Sequence, residues 1–108
     1  MARFLLIESH DPFATDDGGG FYGLAASLAR AANHVTLFLT QAGVLAARAG
    51  EHTFWFAALA REGVEVLADG RSLHEWGIAG ARLSPGVKPT SVDNAVDRLA
   101  EGRKTLRH

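Results

Sequence analysis

VLADGRSLHEWGI runs from Val66 to Ile78, and the fold turns on how this stretch is read. Its apolar start, Val66 to Ala68, stops at Asp69-Gly70, a pair that favours turns. Ser72 follows, with Glu75 three residues on, the spacing of a capping box at a helix start. Gly77 can end that short helix. The stretch therefore predicts a strand over Val64–Ala68, a turn, and a helix beginning at Ser72. Strand ends that feed helix N-termini are where open α/β sheets hold their ligands.

The same alternation extends in both directions. Phe4-Leu5-Leu6-Ile7 is a continuous apolar run without helical period, as expected of a strand buried on both faces. Ser9 to Gly20 is a polar loop with three aspartates and three glycines. Phe21 to Ala32 predicts a helix with Leu24, Ala25, Leu28, Ala31 and Ala32 on its apolar side, and Asn33 in a left-handed position at its end. His34 to Leu39 (HVTLFL) is the second strand. Thr40 is expected to cap a weaker helix running to Arg48, and Thr53 to cap another over Phe54–Glu62 that Gly63 ends. A brief fourth strand is expected over Ile78–Leu83, before the Pro85-Gly86 turn. Ser91 caps a last helix with Val92, Ala95, Val96 and Leu99 on its apolar face. Lys104–Arg107 is a short polar edge strand. Strands alternating with helices imply a parallel sheet covered on both faces.

With 108 residues the chain is long enough for a single domain, 1–108, with one core. The content of 47% hydrophobic and 21% charged residues is that of a globular protein rather than a disordered one. The net charge of −1 is spread without a basic block, so no nucleic-acid partner is expected. No apolar stretch is long enough for a bilayer or a signal peptide, so no membrane association is expected and the cytoplasm is the expected compartment. The chain has no cysteine. Disulfides, thiolate metal sites and cysteine nucleophiles are thereby excluded, and persulfide sulfurtransferase activity with them.

Parallel topology gathers Ser9, His10, Asp11, Thr40, Gln41, Asp69, Gly70 and the Leu83-Ser84 region along one sheet edge. These residues, with Gly18, Gly19 and Gly20, are the candidate ligand-binding set. Gly18 to Gly23 matches G-x-G-x-x-G, but the preceding loop is too long for a dinucleotide turn, Asp16 and Asp17 would repel phosphate, and no acidic residue follows the second strand. His10, Asp11, Asp16, Asp17 and Asp69 match no metal-ligand template, and no metal or cofactor is expected. Asp69, His10 and His74 are the acid–base candidates if the edge is an enzyme site. The other histidines read as surface residues, His108 as a frayed terminus. Phe54, Trp55 and Phe56 are consecutive on a helix and cannot all face one core, which marks them as candidates for an oligomer interface.

GVEVLADGRSLHEWGI (Gly63–Ile78), GFYGLAASLARAANHVTLFLTQAGVLAARAG (Gly20–Gly50) and LSPGVKPTSVDNAVDRLAEGRKTLRH (Leu83–His108) together resemble the DsrE-like family of small sulfur-relay proteins. The resemblance implies a three-layer α/β/α sandwich with a five-stranded, mainly parallel sheet, built into trimers or hexamers. It also implies that sulfur-transferring members carry a cysteine at the end of the third strand, a position that Asp69 occupies here. Many members have arginine where this chain has Trp76. A carboxylate cannot carry a persulfide. The resemblance thus points to a non-catalytic oligomeric subunit or small-ligand-binding module linked to sulfur metabolism, with itself or a cysteine-bearing DsrE-like paralogue as partner. The alternative is a small acid–base enzyme.

Overall fold

The structure is a computed structural model that describes residues 2–11, 18–50, 53–90 and 99–108. Five strands form one sheet: β1 (Arg3–Glu8), β2 (His34–Leu39), β3 (Glu65–Ala68), β4 (Val87–Pro89) and β5 (Lys104–Arg107). Their spatial order is β4-β3-β2-β1-β5, and every neighbouring pair is parallel. The helices are α1 (Gly18–Arg30), α2 (Thr53–Arg61) and α3 (Gly70–Glu75), with 3₁₀ turns at Gln41–Ala47 and Gly80–Arg82. The α/β class and the parallel sheet agree with the sequence reading.

The strand order explains the layers. Passing from β1 to β2, β3 and β4, the chain steps across the sheet in one direction. Right-handed crossovers then place the intervening helices on one face. On that face Leu6, Val35, Leu37, Leu39, Val66 and Ala68 pack with Tyr22, Phe56, Leu59 and Leu73 in the larger core. β5 pairs on the other side of β1, and residues 99–100 before it pack on the opposite face. There Leu5, Ile7 and Phe38 form a second, smaller cluster, with Leu67, Leu99 and Ala100 packed against it. Leu5, Leu6 and Ile7 are all buried, as a central parallel strand requires. The edges are unsuited to further pairing: β4 ends in Pro89, and β5 is exposed throughout with Lys104 and Arg107.

Four local expectations are corrected. The fourth strand lies after the Pro85-Gly86 turn, not over Ile78–Leu83, which a 3₁₀ turn occupies instead. Ser84 is consequently not at a strand tip but is buried, its amide donating to the Ala47 carbonyl and its hydroxyl to that of Arg48. Helix α1 keeps the predicted period in a different phase. Tyr22, Ala25 and Ala26 are buried, whereas Leu24, Ala31 and Ala32 are exposed. The large Tyr22 ring takes the central place against Phe56, which turns Leu24 outward. The left-handed residue ending α1 is Ala32, with φ 67°, rather than Asn33. Asn33 instead bridges, donating from its amide to the Leu28 carbonyl and accepting from the Ala2 amide. The helix expected from Ser91 lies mostly in residues 91–98, outside the described residues.

Candidate functional site

The carboxyl ends of the three central strands are joined by backbone hydrogen bonds. The Thr40 amide donates to the Glu8 carbonyl at 2.9 Å, and the Asp69 amide donates to the Leu39 carbonyl at 2.8 Å. Beyond β3, the Thr90 amide donates to the Ala68 carbonyl at 2.8 Å. Ser9, Thr40 and Asp69 therefore follow neighbouring strands along one edge, as parallel topology requires.

Asp69 is the N-cap of α3. Its Oδ2 accepts from the Ser72 amide at 3.2 Å and from the Ser72 hydroxyl at 2.7 Å. The Thr40 hydroxyl also donates to it, at 3.4 Å. The expected cap was Ser72. Instead the helix begins earlier, at Gly70, and Ser72 lies within it, buried and facing the sheet edge. The Ser72 hydroxyl accepts a 2.7 Å bond from the Gln41 amide. To aim that amide, Gln41 takes a left-handed conformation, φ 52°, where most residues are strained. Thr40, expected to cap the segment after β2, makes no such bond and is spent on Asp69 and Ser72. Asp69 is thus a structural acceptor that holds α3 against the end of β2.

Glu8, at the end of β1, has a different setting. Its side chain is 0% exposed. Both oxygens lie 2.9 Å from Nδ1 of His108, whose side chain is 32% exposed. His108 is not frayed. Its amide donates to the Ile7 carbonyl, and its carbonyl accepts from the Ser9 amide and hydroxyl. Phe21 stacks on its ring with centroids 5.3 Å apart. The exposed His10 ring stands edge-on to His108 at 5.8 Å, and the His10 amide donates to Glu8 Oε2. Across the same region, burial keeps the Tyr22 hydroxyl protonated well above the usual tyrosine range, and the negative charges of Glu8 and Asp11 add to this. Gly43 supplies the close backbone approach, since a Cβ there would collide with the Glu8 carbonyl oxygen.

Sequence reading missed Glu8 because it closes an apolar run and its partner is 100 residues distant. One signal was present: a lone carboxylate directly after the buried run Leu5-Leu6-Ile7. Of the acid–base candidates, His10 joins Glu8 and His108, whereas His74 is exposed on α3 and makes none of the described contacts with them. Gly18, Gly19 and Gly20 form the first turn of α1 rather than a loop before it. Loop residues 12–17, with Asp16 and Asp17, lie outside the described residues, as does His52. Of the aromatic triplet, Phe54 is 63% exposed, Trp55 is half-buried and Phe56 is fully buried. Phe56, expected at an interface with its neighbours, instead fills the core beside Tyr22, because the apolar stripe of α2 passes through it and Leu59.

An open cleft of about 800 Å³ borders the segments that follow β1 and β2 and the end of α3. Asp11, Arg48, Trp76, Ile78 and Arg82 are among its lining residues. Its lining joins two arginines and the exposed Trp76 to Asp11, a mixture of both charges and an aromatic surface that suits a small polar ligand. No described helix is long and apolar enough to cross a membrane.

The family model described as the DsrE/DsrF-like family matches residues 2–107. Among solved structures, the YchN protein of E. coli superposes with a TM-score of 0.88 at 18% identity, each chain covered completely. The protein MTH1491 of Methanobacterium thermoautotrophicum gives a TM-score of 0.76 at 22% identity, also over both complete chains. BT1422 of Bacteroides thetaiotaomicron gives 0.75 at 18% identity over 98% of this chain and 94% of its own. No curated protein matches the chain.

Proposed function

Because the chain belongs to the DsrE/DsrF-like family, we propose that it is a non-catalytic member, a homo-oligomeric module that binds a small anionic ligand in sulfur-linked metabolism. The observation that carries this reading is the state of Asp69. At the strand end where sulfur-carrying members hold a cysteine, this chain has a carboxylate whose Oδ2 already accepts from Ser72 and Thr40. It serves as a helix cap and cannot take up a sulfur atom. What remains for function is recognition, and the cleft bearing Arg48, Arg82 and Trp76 is the place for it. Exposed Phe54 supports self-association in a trimer or hexamer, or association with a cysteine-bearing paralogue.

The reading is tested by incubating the protein with thiosulfate. Calorimetry is expected to show binding that Arg82→Ala abolishes. Intact mass after incubation with a polysulfide donor is expected to show no added sulfur. A stoichiometric, reducible sulfur adduct, or thiosulfate binding that ignores the loss of Arg82, overturns it. Light scattering at micromolar concentration is expected to give a trimer or hexamer mass, and a monomer throughout overturns the self-association.

A further inference from the structure

We propose that Glu8, His10 and His108 form a binding site for a divalent transition cation of the zinc and cobalt class. The inference does not depend on the anion cleft or on Asp69. One ligand atom from each of the three residues lies within 4.8 Å of the others. Two imidazoles and one carboxylate are the donors that such ions prefer, whereas calcium and magnesium demand a shell of oxygens.

Three features distinguish this group from a chance surface cluster. The first is the cost of burying Glu8. A carboxylate with no solvent exposure needs a cation or several donors to offset lost hydration. In the described structure its side chain is met by one imidazole nitrogen and the His10 amide. The second is preorganisation. His108 is fixed by hydrogen bonds on its amide and carbonyl and by Phe21 stacked on its ring. A ligand held in place loses little conformational entropy on binding. The third is access. The site grades from buried Glu8 through partly exposed His108 to exposed His10, which gives an ion a route from solvent.

The geometry needs two adjustments. Metal–ligand bonds of about 2.0–2.1 Å place tetrahedral ligands roughly 3.4 Å apart. The Glu8 carboxylate and His108 Nδ1, 2.9 Å apart, must open to admit the ion, and rotation of the exposed His10 side chain brings in the third ligand. The ion then sits between the Glu8 carboxylate and Nδ1 of His108, replacing their hydrogen bond with two coordination bonds. Both imidazoles coordinate through a nitrogen lone pair. Three protein ligands leave a fourth position for water or a ligand atom, the arrangement of zinc sites that are open to exchange.

The test uses the full chain after chelator treatment, titrated with Co²⁺ and followed by its visible d–d absorption, with Zn²⁺ as competitor. One equivalent per chain is expected, at micromolar affinity or tighter, with the absorption lost on adding Zn²⁺. Since outer-sphere changes alone cost about 10–100-fold in affinity, loss of a direct ligand in His10→Ala is expected to cost at least as much. His10 is exposed, so that variant retains the fold. Glu8→Gln, which keeps the side-chain shape, is expected to do the same, and His74→Ala to leave affinity unchanged. The proposal is overturned if no Co²⁺ spectrum develops below millimolar concentration, or if His10→Ala and Glu8→Gln bind as the parent does.

Discussion

Two carboxylates close two strands of this sheet, and they are handled in opposite ways. Asp69 directly follows β3 and finds most of its partners close by in sequence, in the first turn of the helix it caps. Glu8 ends β1, is withdrawn from solvent, and is met by a residue at the far end of the chain. Asp69 contributes stability cheaply, as any N-cap does, through short-range hydrogen bonds. Glu8 sits at a cost in hydration that its polar neighbours must offset. The lesson is that the carboxylate after β3 serves the local helix that it caps, whereas the carboxylate ending β1 is held by partners that only the tertiary structure brings to it.

The comparison can be broken by perturbing each end separately. The largest effect is expected from Gly43→Ala. Its new Cβ would meet the Glu8 carbonyl oxygen, a backbone atom held in the central strand, so relief requires moving the strand end. A loss of about 3 kcal/mol in chemical denaturation is expected, the upper range for overpacking a core. A loss near zero would mean that the β1 end yields freely and that Glu8 is not rigidly placed.

Alkaline pH sharpens the contrast without a mutation at either carboxylate. The Tyr22 pKa is raised in the folded state, first by burial and then by the charge of Glu8. Above the ordinary value of 10.0 the unfolded chain releases this proton while the folded chain keeps it. The contribution of Tyr22 to stability is therefore complete below that pH and declines above it, with a slope of about 1.4 kcal/mol per pH unit. Tyr22→Phe should remove this slope. An unchanged alkaline slope in that variant would place the titrating group elsewhere.

At the β3 end, Asp69→Ala is expected to cost about 1.5 kcal/mol, within the range for a lost N-cap. Asp69→Asn keeps the acceptor and should cost little. If the two variants were equally destabilised, charge rather than capping would be the role of Asp69. Ser72→Ala should cost about 1 kcal/mol, because it removes both the acceptor of the Gln41 amide and the hydroxyl that donates to Asp69. A neutral result would show that water or a shift of Gln41 replaces the hydroxyl.

The sequence by itself determined the class of the fold. The continuous apolar run Leu5–Ile7 and the β-branched and apolar stretch Val35–Leu39 mark strands buried on both faces, and the helical periods between them require parallel crossovers. It also marked a short helix directly after the third strand, because cap chemistry operates over three or four residues and is written locally, although the cap proved to be Asp69 and not Ser72. The absence of cysteine removed persulfide chemistry at once. Tertiary structure decided what depends on partners distant in the chain. The phase of α1 follows from Tyr22 meeting Phe56 on another helix, which periodicity cannot specify. The position of β4 follows from pairing with β3, since a three-residue strand has too little pattern to announce itself. Above all, the meeting of Glu8, His10 and His108 depends on β5 lying beside β1. Burial and coordination are set by distances in space, and that pairing brings together residues 8 and 108, which no local pattern connects.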